Sequence, residues 1–409
     1  MGGLVTGIDL LRKGQKVAMI SSGQSALHFN SGSFGLYGNH NGTVVVDNPL
    51  DYIKELPATH PYSKVGVDNI MRYIPMVQPL FAEAGITLQG SEKRNHFRLT
   101  PIGMFKPAWL SMEGYTAVDD AKAPAWGKVL LVNIAGYLDF YPQFIARGLE
   151  NAGVQIANRT LTTESIQHLR KSATEMRSTN IARVLEGTAL AEVAQILNRY
   201  IDETSADTVI MPAVVGLFSE KPVKELRKQV KAPLYFVSTI PMSVGGMRAQ
   251  MLLRTWFHQH GGKYLLGDSV TRGTITNGKV KNVYTTNLTD MPLEADNFVL
   301  ASGSFLSHGM QANFEKVFEP IFDLDIVADA NRADWCNANL YNEQKFESYG
   351  VATDESLRVS SKGTTIDNLF AAGAVIGGCN ALKEESGAGV TLMTAFKVAD
   401  QILKKGGKQ

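Results

Sequence analysis

Short apolar runs alternate with stretches of helical spacing along most of this chain. Apolar residues recur every three or four positions over residues 3–13, which predicts a first helix closed by Gly14. Residues 16–20 follow as a short strand. Helical spacing returns over 49–56 and 67–84, and 86–98 reads as strand. Residues 106–125 carry Trp and Pro without periodicity and are expected to be irregular, which suits a domain boundary. Residues 128–134 are continuously apolar, as a strand buried on both faces would be. Helices are expected at 140–152, 165–173, 181–186, 189–203 and 223–230, with strands at 154–156, 208–211 and 234–237. A helix over 249–259 precedes a meander across 267–287, where Asn277-Gly278 predicts a tight hairpin turn. Apolar runs at 298–303 and 368–372 end in Gly303 and Gly373, and 390–402 is helical again.

Strand and helix in this alternation predict an α/β fold built on parallel sheet. The expected division is a discontinuous domain, 1–105 with 236–409, carrying an α/β insertion over 106–235 as a cap. Residues 306–350 hold Trp335, Tyr341 and several acids, and the pattern assigns them no role. The Lys/Gly-rich tail at 404–409 is expected to fray.

Glycine is concentrated where strands turn into helices. Asn368-Leu369-Phe370-Ala371-Ala372 runs into Gly373, the pair Gly377-Gly378 follows, and Ser386-Gly387-Ala388-Gly389-Val390 opens the last helix. Unpaired N–H groups at a helix start, backed by the helix dipole, make an anion site. Glycine suits such a place because a Cβ would block close approach of a ligand. Asn-Leu-Phe-Ala-Ala-Gly, with a later Gly-x-Gly-Val at a helix start, resembles the C-terminal flavin motif of the two-dinucleotide-fold flavoproteins. That resemblance implies a Rossmann-like dinucleotide-binding domain, which normally begins with a strand and Gly-x-Gly-x-x-Gly. The sequence starts at Met1 without that first strand or the first two glycines, and Gly3 stands where the third would lie. The expectation is that these 409 residues are a truncated form of a longer protein.

Such a domain places an Asp or Glu on the adenosine ribose where its second strand ends. This chain has Ser21-Ser22-Gly23 there, which favours FMN, with FAD the alternative. The following loop holds Gln24, Ser25, His28, Ser31, Gly32 and Ser33, and its hydroxyls and backbone donors suit a phosphate or a flavin ring. His28 is a candidate catalytic residue, with a structural histidine as the alternative. Arg248, after the pair Gly245-Gly246, is the other candidate. It could pair with a phosphate or the flavin's anionic edge, with a solvent-facing helix charge as the alternative. Ser302-Gly303 closes a strand where related flavoproteins bring the chain past the cofactor.

Composition narrows the classes. Hydrophobic residues make up 44% and charged residues 19%, which is globular, and a net charge of +1 implies no nucleic-acid partner. The two cysteines, Cys336 and Cys379, have no metal spacing and support neither a zinc site nor an iron–sulfur cluster. His258 and His260 are two apart on an expected helix and point to different faces. Neither a phosphate-binding Gly-x-x-x-x-Gly-Lys motif nor a nucleophile elbow is present, and no apolar run reaches the length of a membrane span.

The most specific signal is the string Gln24-Ser25-Ala26-Leu27-His28-Phe29 followed by Ser31-Gly32-Ser33. With Thr174-Glu175, Asn180 to Arg183, Met211-Pro212-Ala213, Pro241 to Arg248, Ala301 to Phe305, Gly350 to Glu355 and the C-terminal stretch, it resembles the B subunits of the bacterial anaerobic glycerol-3-phosphate dehydrogenases. These segments span almost the whole chain. The resemblance implies oxidation of sn-glycerol 3-phosphate to dihydroxyacetone phosphate, with electrons passed to a quinone in anaerobic respiration. It implies a larger, FAD-containing and catalytic A subunit for the hydride step, and an iron–sulfur C subunit that tethers the pair to the membrane. It also implies FMN on the B subunit and a cytoplasmic place at the inner membrane through a partner. Two alternatives stay open: a stand-alone flavin dehydrogenase or reductase, and a non-catalytic subunit with a vestigial flavin fold.

Overall fold

A computed structural model describes residues 1–122, 124–171 and 176–406. Thr174-Glu175 and the last three residues of the 404–409 tail lie outside the described residues. The elements used below are, in chain order, α1 (Gly2–Arg12), β1 (Ala18–Ser21), β2 (Lys128–Ile134), β3 (Gln155–Leu161), β4 (Thr208–Pro212), β5 (Leu234–Val237), α2 (Val244–Gln259), β6 (Lys263–Leu266), β7 (Phe298–Leu300), β8 (Arg358–Ser361), β9 (Thr364–Ala371) and α3 (Gly387–Gly406).

The chain divides into two compact units. Unit 1 is Met1–Gln24, Gly35–Pro79 and Arg254–Gln409, and unit 2 is Ser25–Phe34 with Leu80–Leu253. Unit 2 thus takes in 25–34, 80–105 and 236–253 beyond the insertion expected at 106–235.

Unit 2 is organised by a four-stranded sheet in the order β3-β2-β4-β5, every pair parallel. Val129 to Val132 in β2 and Val209 to Met211 in β4 are buried, as the apolar runs predict for strands covered on both faces. Helix Thr188–Thr204 turns Leu190, Val193, Ala194, Leu197 and Ile201 inward at three- and four-residue spacing. Residues 106–125 are not the irregular boundary expected. They begin with two strands, Phe105–Ala108 and Leu110–Met112, the second pairing with both Ser33–Phe34 and Leu88–Gly90. Strands of three or four residues, here with Trp109 buried between them, are too short for apolar alternation to show.

Unit 1 is built around α1 and α3. Leu4, Val5, Ile8 and Leu10 are buried on α1, and the Thr6 hydroxyl donates to Ala395 O of α3 at 3.4 Å. β1 pairs in parallel with β6, while β7 pairs in parallel with β9, which pairs antiparallel with β8. Among the described residues no strand pairs with the other edge of β1 or of β7. Met19, Ile20, Val299 and Leu300 are accordingly only half-buried. A Cβ placed on Gly3 would lie 3.5 Å from Ala301 Cβ and 3.7 Å from Met19 Cε, so the start of α1 touches both β1 and the end of β7. The predicted hairpin forms between Val270–Thr276 and Lys279–Thr285, with Asn277 and Gly278 at φ 53° and 72° as the turn requires.

Candidate functional site

In unit 1, two helix starts and one strand end border one another. α1 begins at Gly2, α3 begins at Gly387, and β9 runs out two residues before Gly373. A Cβ on Gly2 would stand 3.3 Å from Thr391 Cγ2 and 3.4 Å from Ala372 O. Gly373 turns at φ +79° and its N–H donates to Thr394 Oγ1 at 2.9 Å. Among the described residues, the N–H groups of Gly2, Gly3, Leu4, Gly387 and Ala388 have no acceptor. Donors of this kind at the starts of helices of 11 and 20 residues fit a phosphate or another anionic group, as a flavin carries.

The glycines singled out above fall into two groups. A Cβ on Gly378 (φ +101°) would stand 2.5 Å from Thr59 O, and one on Gly377 would stand 2.9 Å from Gly350 N. One on Gly389 would stand 2.2 Å from Tyr62 Oη and 2.8 Å from Leu36 Cα. At these positions the crowding comes from the chain itself and not from a ligand, which corrects the expected reason for their being glycine. Gly303 (φ +93°) likewise meets Ser307, and Val390 is buried in the first turn of α3. Gly23, by contrast, has nothing within 4 Å, and Gly387 only Ala381 Cβ at 3.5 Å. Gly389→Ala should therefore lower the thermal midpoint whether or not flavin is bound. Melting flavin-free protein checks this, and an unchanged midpoint would return Gly389 to the ligand reading.

Ser21 donates its hydroxyl to Gly23 O at 2.9 Å, and its carbonyl accepts from Gly267 N at 2.8 Å and Asp268 N at 3.2 Å. The adjoining Asp268 carboxylate is engaged by the N–H groups of Ser269 and Asn287 at 2.9 and 3.0 Å. Ser22, Gln24 and Ser302 also lie in unit 1.

The remaining candidates belong to unit 2. Ser25 caps a short 3-10 turn, Ala26–Phe29, by accepting from Leu27 N, and donates its hydroxyl to Gln250 Oε1 at 2.9 Å. His28 is buried in that turn and its carbonyl accepts from Ser243 N. Ser31 and Ser33 share a hydrogen bond of 3.0 Å, and Gly32 (φ +80°) lies under the Tyr115 ring. The helix carrying Arg248 starts at Val244, five residues earlier than expected. The pair Gly245-Gly246 permits this, since a Cβ on Gly245 would meet Tyr115 Oη at 2.3 Å and one on Gly246 would meet Leu27 O at 2.0 Å. Arg248 is 2% exposed, so it is not a solvent-facing charge, and its Nη1 donates to the carbonyls of Val215 and Gly216. Burial pushes the Tyr115 phenol above its ordinary range, against the opposing pull of Arg248 and the bonds to Ser243 and Gly245.

Sequence reasoning missed one cluster of unit 1. His60, Cys379 and Glu384 bring one donor atom each within 4.8 Å of one another. His60 Nδ1 accepts from Tyr62 N at 3.1 Å, capping the helix Pro61–Val65, so the ring proton belongs on Nε2, 3.1 Å from Glu384 Oε2. A metal at Nε2 would have to displace that proton and leave an imidazolate. Burial also pushes the Cys379 thiol well up, away from the thiolate a metal takes. Burial alone would raise Glu384, but bonds from His60, Ser386 and Asn380 N outweigh it and hold the carboxyl below its ordinary value. His60 and Glu384 are thus a hydrogen-bonded pair beside the buried Cys379 thiol. His60 and Glu384 are 324 positions apart, and no local spacing announces the pair.

Residues 1–390 match the family model described as an FAD binding domain, which makes this a flavoprotein of the oxidoreductase kind with a Rossmann-like α/β fold. The chain is 40% identical over 408 residues to the B subunit of the anaerobic glycerol-3-phosphate dehydrogenase of Yersinia enterocolitica, covering 98% of this chain and 96% of the relative. Proteins of the same name from Pectobacterium atrosepticum and Actinobacillus succinogenes are 35% and 34% identical, over 99% and 100% of this chain and 97% of each relative. The chain belongs to the family of anaerobic glycerol-3-phosphate dehydrogenase B subunits. No helix among the described residues is long and apolar enough to cross a membrane.

Proposed function

We propose that this chain is the electron-carrying flavin subunit of a glycerol-3-phosphate dehydrogenase. The observation that carries the reading is the similarity to relatives of that name over nearly their whole length. In the reaction, sn-glycerol 3-phosphate gives up two electrons and two protons to become dihydroxyacetone phosphate, and a quinone takes up the same number. A larger, FAD-containing A subunit removes the hydride, and an iron–sulfur C subunit holds the assembly at the cytoplasmic face of the inner membrane. Bound flavin would supply acceptance of an electron pair and its onward release. The chain's own part is to hold that flavin: the free N–H groups at the helix starts of Gly2 and Gly387 would hold its phosphate, and Gly23, with nothing within 4 Å, would leave room for it. His28 and Arg248 are both buried in unit 2, with Arg248 donating to the main-chain carbonyls of Val215 and Gly216, and the reading assigns the hydride step to a partner.

The test is a dye-linked assay on the purified chain with sn-glycerol 3-phosphate. Little turnover is expected alone, and turnover equal to that of the assembled complex would overturn the division of labour. Between the flavins, the family description names FAD, while the Ser21-Ser22 end of β1, with Asp268 engaged elsewhere, favours FMN. Acid release and chromatography should recover FMN. Recovery of FAD at about one per chain would refute this.

A further inference from the structure

The three most exposed large apolar side chains among the described residues are Phe314 (90%), Leu340 (80%) and Tyr341 (93%). All lie in the part of unit 1 to which the sequence pattern assigned no role. Phe314 sits at the tip of a hairpin between Gln311–Ala312 and Val317–Phe318. Its turn is braced by Asn313 Oδ1, which accepts from Glu315 N and Lys316 N at 2.8 Å each. Leu340 and Tyr341 sit at the tip of the loop 337–344, which is tied to itself by amides. Gln344, 6% exposed, accepts from Asn337 N at 2.9 Å and donates to Asn339 O at 3.0 Å and Asn342 O at 3.3 Å. Asn339 Oδ1 accepts from Tyr341 N at 3.0 Å. Arg332 ties the hairpin to the segment that leads into the loop: it donates to Asn313 O at 2.7 Å and its guanidinium lies 5.3 Å from the ring centres of both Phe314 and Trp335.

Exposed apolar residues at loop tips are ordinary when the loop is free to move them. Here the loop is held in one shape by its own buried amide, and the apolar groups still point to water. A surface built this way has met the ordering cost of binding in advance. Aromatic and aliphatic anchors held rigid are what dominate protein interfaces. Three such side chains can bury on the order of 500 Å², a large share of the roughly 800 Å² each partner gives to a stable interface. Glu315, Asp334 and Glu343 are matched along the chain by Lys316, Arg332 and Lys345, all exposed, so these segments carry no net positive charge to hold them on anionic lipid headgroups, and a protein partner suits them better.

We propose that Phe314, Leu340 and Tyr341 are a preorganised anchor that docks into an apolar pocket on another protein of the same dehydrogenase complex. This rests on the reading of the chain as one member of an assembly. The experiment is co-expression of this chain with its partner subunits and purification through a tag on a partner, for the wild type and for the triple variant Phe314→Ser, Leu340→Ser, Tyr341→Ser. The variant should be recovered at least tenfold less well, with its thermal midpoint and bound flavin unchanged. The exposed thiol of Cys336, beside this loop, gives a second readout without mutation, since the other cysteine, Cys379, is buried. Thiol-reagent labelling of wild-type Cys336 should slow in the complex. Equal recovery of variant and wild type, with Cys336 labelled at one rate free and bound, would overturn the anchor while leaving the proposed function standing. Failure of the wild type itself to co-purify would overturn both. Binding of the isolated wild type, but not the variant, to phosphatidylglycerol-containing vesicles would overturn the protein partner in favour of a membrane.

Discussion

Extending the chain at its start by about ten residues that read as a strand followed by Gly-x-Gly should raise the thermal midpoint and the flavin content together. β1 is paired only with β6, and β7 only with β9, among the described residues. The start of α1 at Gly3 borders both Met19 of β1 and Ala301 just past β7. A strand between these edges would give their N–H and C=O groups partners and cover Met19, Ile20, Val299 and Leu300. If four of its own side chains became core, burial would contribute roughly 6–12 kcal/mol at ~1.5–3 each, comparable with the whole net stability of a domain, ~5–15 kcal/mol. Its two glycines would add backbone donors beside those of Gly2 and Gly3. The check is calorimetry and flavin absorbance on the two proteins. Equal midpoints with equal flavin content would show that the edges accept no strand.

Arg248→Ala should unfold the protein more readily, whereas a side chain that only paired with a phosphate would cost binding and leave stability intact. The difference follows from burial. Without Arg248 the carbonyls of Val215 and Gly216 lose their donor, at ~1–3 kcal/mol each, and a large side chain leaves a cavity. A loss of about 3–5 kcal/mol corresponds to roughly 10 °C for a unit of this size. The measurement is thermal unfolding of flavin-free protein, where ligand binding cannot contribute. A wild-type midpoint combined with lost flavin would return Arg248 to the phosphate reading. Arg248→Lys keeps the charge but reaches one carbonyl at most, so its midpoint should fall between the two.

The elements that were legible in the sequence are those with long apolar runs. β2, β4 and helix Thr188–Thr204 form within two residues of where their spacing puts them, because each has a buried face long enough to leave a period. The start of α2 was not legible: Gly245-Gly246 reads as a break, yet α2 contains both because Leu27 and Tyr115 leave no room for a Cβ there. The strands at 105–112 were lost for want of length. At the candidate site, the glycine positions were visible, but what each faces was not. Gly389 is glycine on account of Tyr62 and Leu36, and Gly378 on account of Thr59, all distant in sequence. The anchor at 313–344 carried no signal because its order comes from Asn and Gln side chains bonding to backbone, which no periodicity encodes.

α1 rests on α3, and the bond from Thr6 to Ala395 spans 389 positions. During synthesis the first helix emerges with its apolar face, Leu4, Val5, Ile8 and Leu10, and has no α3 to cover it until nearly the whole chain has been made. At ~5–20 residues per second that wait is roughly 20–80 s. The sheet β3-β2-β4-β5 needs only the span from 128 to 237 and can close meanwhile. Assembly in the cell is therefore expected to run from the middle of the chain outward, with the nascent first helix the segment most in need of a chaperone's cover.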